Sequence, residues 1–282
     1  MYPDDGGADV VAPMGGAVRR FNLEGLVPLI LLVIIGIASL NYFGVIDVPL
    51  LPKGSSHMQV LFIGNPSPGE RTVLDNLSYM LNYRIRDAAT FGNAASEELH
   101  QYDIVILDQS TTDKSVTVAL GQAIQNYVNK GGKLIVVLNS GIYQNVGLMG
   151  LTATDVIGWK ATFGDIMPQD CVLGPDMVPT CHPSRNLTMV GRIYRQDYDH
   201  PIMAGVELTP PATEPPYSLT TLAIQADAGS KQIAYIKAEN IPQTYPAIIE
   251  KKKFGLGGTV VYFNYDPGKT PGVLVNTIKY LK

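Results

Sequence analysis

No charged side chain occurs between Leu26 and Ile46. The run is aliphatic from Leu29 to Ile35 and closes on Tyr42 and Phe43. About 20 apolar residues suffice for a helix to cross ~30 Å of hydrocarbon, and this stretch supplies them. Pro28 falls in the first turn, where its missing N–H costs little. Tyr42 and Phe43 fall where an interfacial aromatic belt sits. A cleaved signal peptide has a shorter core and a small-residue cleavage site. Here Asp47, Pro49 and Pro52 follow instead. The pattern predicts a single transmembrane helix over residues 25–46. A Gly-, Pro- and Asp-rich disordered tail precedes it at 1–24, and a linker follows at 47–57. Residues 58–282 are left as one soluble domain.

Orientation follows from the flanking charges. Arg19 and Arg20 precede the span, and Lys53 is the nearest cation after it. The positive-inside rule places the N-terminus in the cytoplasm and the domain outside. The expected partners are therefore membrane lipid, through the helix, and proteins of a membrane complex. A net charge of -4 offers no basic field for nucleic acid.

Cys171 and Cys181 are the only cysteines. In an oxidising compartment they can close a small loop as a disulfide; the other readings are two free thiols or a metal site short of partners. Asn76-Leu77-Ser78 and Asn186-Leu187-Thr188 match the glycosylation sequon. Asn76 has to lie on the exposed face of its helix for that to matter.

The soluble part alternates short apolar runs with amphipathic ones. Residues 59–64 read as a buried strand. The next helix sets Val73, Leu74, Leu77, Met80 and Leu81 on one face. Strands follow at 83–87 and 104–108, then a helix at 116–129 stopped by Gly131 and Gly132, then a strand at 133–139. This order predicts an α/β fold, a doubly wound and mostly parallel sheet. Residues 144–206 lose the rhythm. Strand-like runs return at 221–225, 232–237, 247–251 and 259–264, the last two as an antiparallel hairpin. A helix over 273–281 closes the domain.

Four segments carry a family resemblance. Residues 102–108 (Tyr102, Asp103, then Ile104 to Asp108) are similar to a "YDVVIL" strand. Residues 123–134 look like a helix-to-strand step with Tyr127, Val128, Gly131, Gly132 and Leu134 in place. Residues 199–206, around His200, Pro201, Ile202 and Gly205, are similar to an "hPIxxGl" segment. Residues 255–263 look like a late "GxGxVvyf" hairpin. In this order they resemble the class I glutamine amidotransferase-like superfamily, whose fold is flavodoxin-like, in a divergent branch. The resemblance implies a cysteine nucleophile after the strand at 133–139 and a His-x-Glu near 263–266. Neither is present: the turn reads Asn139, Ser140, Gly141, and no histidine follows Phe263. Glutamine hydrolysis requires an activated thiolate with a base in reach, so amidotransferase activity is excluded. Related non-enzymatic domains occur in membrane-bound and scaffold proteins.

Several groups remain as candidates. Ser140, at a strand's carboxyl end, is a nucleophile candidate or a turn former. Asn139, Ser140, Gly141, Tyr143, Asp108 and Asp266 gather at that end as a binding surface, with residues 144–206 beside them. Asp197, Asp199 and His200 are metal-ligand types, although His200-Pro201 also reads as a structural turn. The loop at 64–69 lacks any phosphate-binding pattern. Lys251, Lys252 and Lys253 read as a solvated edge or a lipid-headgroup contact. No cofactor is expected. The reading is a non-catalytic, membrane-anchored binding domain; the alternatives are a hydrolase or sugar-processing enzyme on the same scaffold, or an accessory component of a transporter-type complex.

Overall fold

The computed structural model describes residues 23–42, 57–145, 156–239, 241–253, 255 and 257–282. The expected tail up to residue 22 and the linker up to residue 56 lie outside the described residues. The chain divides into two compact units, Met1–Ser56 and His57–Lys282.

The first unit contains helix α1 (Leu23–Tyr42), with Pro28 inside it. Leu31, Leu32, Val33 and Ile34 are each more than half exposed. Four consecutive helical residues point over about 300° of the circumference, so α1 buries no aliphatic stripe there. Among the described residues no helix is long and apolar enough to cross a membrane.

The second unit is built on a mixed ten-stranded sheet. Its strands are β1 (Met58–Gly64), β2 (Leu81–Arg86), β3 (Ile104–Asp108), β4 (Lys133–Val137), β5 (Leu187–Arg195), β6 (Leu208–Thr209), β7 (Tyr217–Thr221), β8 (Lys231–Ala238), β9 (Thr244–Lys252) and β10 (Thr259–Phe263). The order is β6-β5-β8-β9-β10-β4-β3-β1-β2, with β7 also paired to β5. From β2 to β10 every neighbour is parallel. That block has the doubly wound order 2-1-3-4-5, in which the crevice for ligands opens at the carboxyl ends of β1 and β3. Residues Val60–Ile63, Ile104–Leu107 and Leu134–Val137 are buried without alternation, as strands covered on both faces must be.

Helix α2 (Pro68–Asn76) starts on a capping box. Ser67 Oγ accepts the Glu70 N–H, and the Glu70 carboxyl accepts the Ser67 N–H. It ends five residues before Leu81. The expected apolar face continues through Met80 and Leu81, but Leu81 instead opens β2: an apolar residue at helical spacing also satisfies a strand's first inward position. After α3 (Ala95–Leu99), α4 (Val118–Asn129) is capped by Thr117 and stopped at Gly131, φ 101°. A Cβ on Gly132 would lie 2.5 Å from the Tyr127 ring. Helices α5 (Trp159–Phe163) and α6 (Pro271–Leu281) complete the set.

The antiparallel half is larger than a C-terminal hairpin. β5 lies inside the stretch expected to lack regular structure, and it buries Met189, Gly191 and Ile193 in alternation. The exposed Val190 and the buried Gly191 blur the pattern. The run expected as one strand at 221–225 is a strand break: β7 ends at Thr221 and a separate strand begins at Ile224. β9 lies between β8 and β10 rather than at an edge. The solvated-edge reading of the three lysines is therefore corrected for Lys251, whose half-buried side chain is held by Met167 O and Asp227.

Candidate functional site

The carboxyl ends of β1, β3, β4 and β10 converge, and Asp108, Gln109, Asn139, Ser140, Asn264 and Thr270 are buried polar residues at or just after those ends. The turn after β4 is sharp. Leu138 adopts φ 48°, a left-handed conformation that costs a non-glycine residue of order 1–3 kcal/mol. Gly141 follows at φ 66°, and a Cβ there would sit 2.5 Å from Phe163. A nucleophile elbow holds its nucleophile on such a strained strand-to-helix turn; here the strained residue is a leucine.

Ser140 is fully buried. Its Oγ accepts the Gln109 N–H at 2.7 Å and donates to Val137 O at 2.6 Å. Its carbonyl accepts the Trp159 indole N–H at 3.0 Å. The Gln109 side chain accepts the Gly141 N–H and donates to Asp113 O and Ser115 O. Trp159 and Phe163 close the turn from above; both are buried. Asn139 is buried as well, its Nδ2 donating to Asn186 Oδ1 at 3.2 Å. Of the six residues expected to form a binding surface, Asn139, Ser140 and Asp108 have buried side chains. Tyr143 is half-buried, its hydroxyl 3.1 Å from His182 Nε2.

No histidine serves Ser140. His182 engages Ser184 and Tyr143. His200 Nδ1 accepts the Ile202 N–H, which leaves its proton on Nε2, 3.2 Å from Glu250 Oε2. Tyr280 donates to the other Glu250 oxygen at 2.6 Å. Burial pushes the Glu250 pKa up, but the bonds from His200 and Tyr280 outweigh it and hold the group below the usual glutamate range. Two of the three metal-ligand types, Asp197 and His200, have other partners. Asp197 is taken by Lys231 and the Asp199 N–H, and both His200 nitrogens are engaged elsewhere. Among the described residues no cluster of three such ligands occurs.

The second locus is acidic. Glu70 and Asp108 are both buried. Burial, reinforced by the nearby Asp108 charge, pushes the Glu70 pKa up to about 10. Asp108 is raised too, chiefly by burial, although bonds from Ser110 and Glu70 oppose it. At neutral pH Glu70 keeps its proton beside the Asp108 carboxyl. Asp108 Oδ1 accepts the Ser110 N–H at 2.7 Å, and its buried Oδ2 has no hydrogen-bond partner. Asp266 stands alongside, accepting from Ser67 Oγ at 2.8 Å and from the Gly268 N–H at 2.9 Å. The loops interlock here: a Cβ on Gly69 would lie 2.3 Å from Gly268 O, and one on Gly64, 1.8 Å from Asp108 O. Sequence reasoning nominated Asp108 and Asp266 but missed Glu70. Its Ser67-x-x-Glu70 signal was visible as a cap, whereas its neighbour Asp108 lies at the end of β3. Beside Gln109, a hollow of about 210 Å³ is bordered by Asp87, Ala88, Asp113, Ser115 and Thr117.

Cys171 and Cys181 form a disulfide, Cα–Cα 5.4 Å. Asn76 is exposed on α2, as its sequon requires, and Asn186 is exposed while bonded to Asn139.

The fold defines an α/β domain with a mixed central sheet: a parallel block and antiparallel hairpins. No protein-family model matches the chain, and no curated protein matches it. Solved structures do. A β-galactosidase from Bacillus circulans sp. alkalophilus is similar at 16% identity and TM-score 0.48, over 79% of this chain and 30% of that one. The mmIFT52 N-terminal domain is similar at 9% identity and TM-score 0.47, over 79% of this chain and 96% of that one. A protein assigned as part of a GMP synthase, from Thermoplasma acidophilum, is similar at 8% identity and TM-score 0.38, over 80% and 96%. The chain thus spans under a third of the length of the β-galactosidase.

Proposed function

We propose that the chain is a membrane-anchored, non-catalytic binding domain, a divergent member of the class I glutamine amidotransferase-like superfamily acting within a membrane or cell-surface assembly. One observation carries the non-catalytic reading. Leu138 occupies the strained position of the turn after β4, while Ser140 is sealed beneath Trp159 with its hydroxyl held between two backbone groups. Activation of a serine needs a base in hydrogen-bond reach. Its Oγ partners are Gln109 N–H and Val137 O.

The anchor rests on the uncharged run from Leu26 to Ile46 and on aliphatic side chains exposed around α1. The location outside rests on Arg19 and Arg20; a disulfide at Cys171–Cys181 is consistent with an oxidising compartment. Asn76 and Asn186 are the glycosylation sites this placement offers.

A hydrolase on the same scaffold is the second reading, favoured by the buried Glu70–Asp108 pair at the strand ends, where burial raises both carboxyls and Glu70 the further, to about 10. A screen with ester, amide and glycoside substrates separates the two. No turnover is expected. Turnover lost in Ser140→Ala or Glu70→Gln overturns the non-catalytic role. Membrane fractionation of the whole chain beside a form lacking residues 1–54 tests the anchor: the deleted form is expected in the soluble fraction, and its retention on membranes overturns that part.

A further inference from the structure

The antiparallel half of the sheet presents a side-chain groove remote from the strand-end turns. β5, β8 and β9 are neighbours, and their register places Tyr194, Tyr235 and Pro246 in one cross-strand row and Arg192, Lys237 and Thr244 in the next. Tyr194 and Tyr235 stack, with ring centroids 5.4 Å apart and planes 10° from parallel. Beside Tyr235 lies a groove of about 510 Å³, bordered by Gln196, Gln232, Lys237, Pro242 and Thr244. Gln232 Nε2 donates to Gln196 Oε1 at 2.7 Å. That bond fixes the two amides and leaves Gln196 Nε2 as a donor and Gln232 Oε1 as an acceptor.

The charge at the groove is unbalanced. Arg192 and Lys237 are directly opposed across β5 and β8, and like charges in that position repel. Arg192 is held by the carbonyls of Pro210, Pro211 and Glu214. Among the described residues neither cation has a carboxylate in ion-pair reach.

We propose that this groove binds an acidic saccharide, a pyranose bearing a carboxylate. Its apolar C–H face lies on Tyr235, its hydroxyls meet the Gln196 and Gln232 amides, and its carboxylate meets Lys237. An extended peptide is disfavoured because β8 is interior. Its backbone is paired to β5 on one side and β9 on the other, so strand addition has no edge to use. This site is separate from the strand-end turns and goes beyond the interaction role proposed above.

The test is calorimetric titration of the full chain in detergent micelles with trigalacturonate, with galactotriose as the neutral control and penta-aspartate as the acidic peptide control. Saturable binding of trigalacturonate is expected, at least tenfold tighter than either control. Tyr235→Ala and Lys237→Met are each expected to weaken it at least tenfold. Lys237 is exposed, so Lys237→Met keeps the fold and isolates the charge; an unchanged melting temperature checks that. No saturable binding by the folded chain, binding indifferent to Lys237→Met, or equal binding of either control overturns the assignment.

Discussion

Ser140 Oγ accepts the Gln109 N–H at 2.7 Å, joining the turn after β4 to the end of β3. The same oxygen donates to Val137 O, so both roles of the hydroxyl are spent on the backbone. This residue is a staple between two parallel strands.

Ser140→Ala is expected to destabilise the domain by about 1–3 kcal/mol, because it strands a buried N–H. For a domain of this size that lowers Tm by roughly 2–4 °C per kcal/mol. Thermal unfolding followed by circular dichroism checks it. A Tm within error of wild type would mean that the Gln109 N–H finds another acceptor.

Glu70 gives the fold a pH dependence of definite sign. Its folded pKa, about 10, lies above its unfolded value of 4.5. Its contribution is therefore fully present below pH 4.5 and is lost as pH rises toward 10. Asp108 is raised as well and acts in the same direction. Glu70→Gln keeps an oxygen to accept the Ser67 N–H and removes the proton. The variant is expected to melt higher than wild type at pH 8, by roughly 2–4 °C for each 1 kcal/mol gained, and to flatten the dependence between pH 5 and 9. A wild-type Tm that climbs over that interval would contradict the buried acid.

Tyr280 donates to a buried, ionised Glu250. Tyr280→Phe is expected to cost about 1.5–3 kcal/mol at neutral pH. Glu250 is held below its ordinary pKa, so its contribution is present above the unfolded pKa and lost as pH falls through the folded one. The gap between variant and wild type should be full at pH 7 and narrow in acid. Urea unfolding at pH 7 and at pH 3 measures both.

Reduction, or Cys171→Ser with Cys181→Ser, releases a loop of ten residues' separation. The expected loss is about 3 kcal/mol. Differential scanning calorimetry with and without reductant reads it; equal transitions would show that the loop contributes nothing to the cooperative unit.

Much of the parallel block was legible in sequence. Its strands are unbroken apolar runs because both faces are covered, and its helices carry their own stop signals, such as Gly131 and Gly132. The antiparallel half was less legible. β5 alternates buried Met189 and Ile193 with polar Thr188 and Arg192, a weak pattern inside a stretch rich in glycine and proline. Lys251 read as solvated by its charge, yet Asp227 holds it half-buried. The disulfide was one of three open readings until the fold brought the two cysteines together.

Local patterning, set by which residues avoid water and which end a helix, determined the α/β alternation, the uncharged segment before it and the missing thiol. Only the tertiary structure decided what the strand-end groups do. Whether Ser140 faces solvent or Trp159, and whether the Glu70 that caps α2 lies in water or is buried beside Asp108, depends on neighbours dozens of residues away. Burial and pairing are properties of that assembled neighbourhood and are written in no single segment.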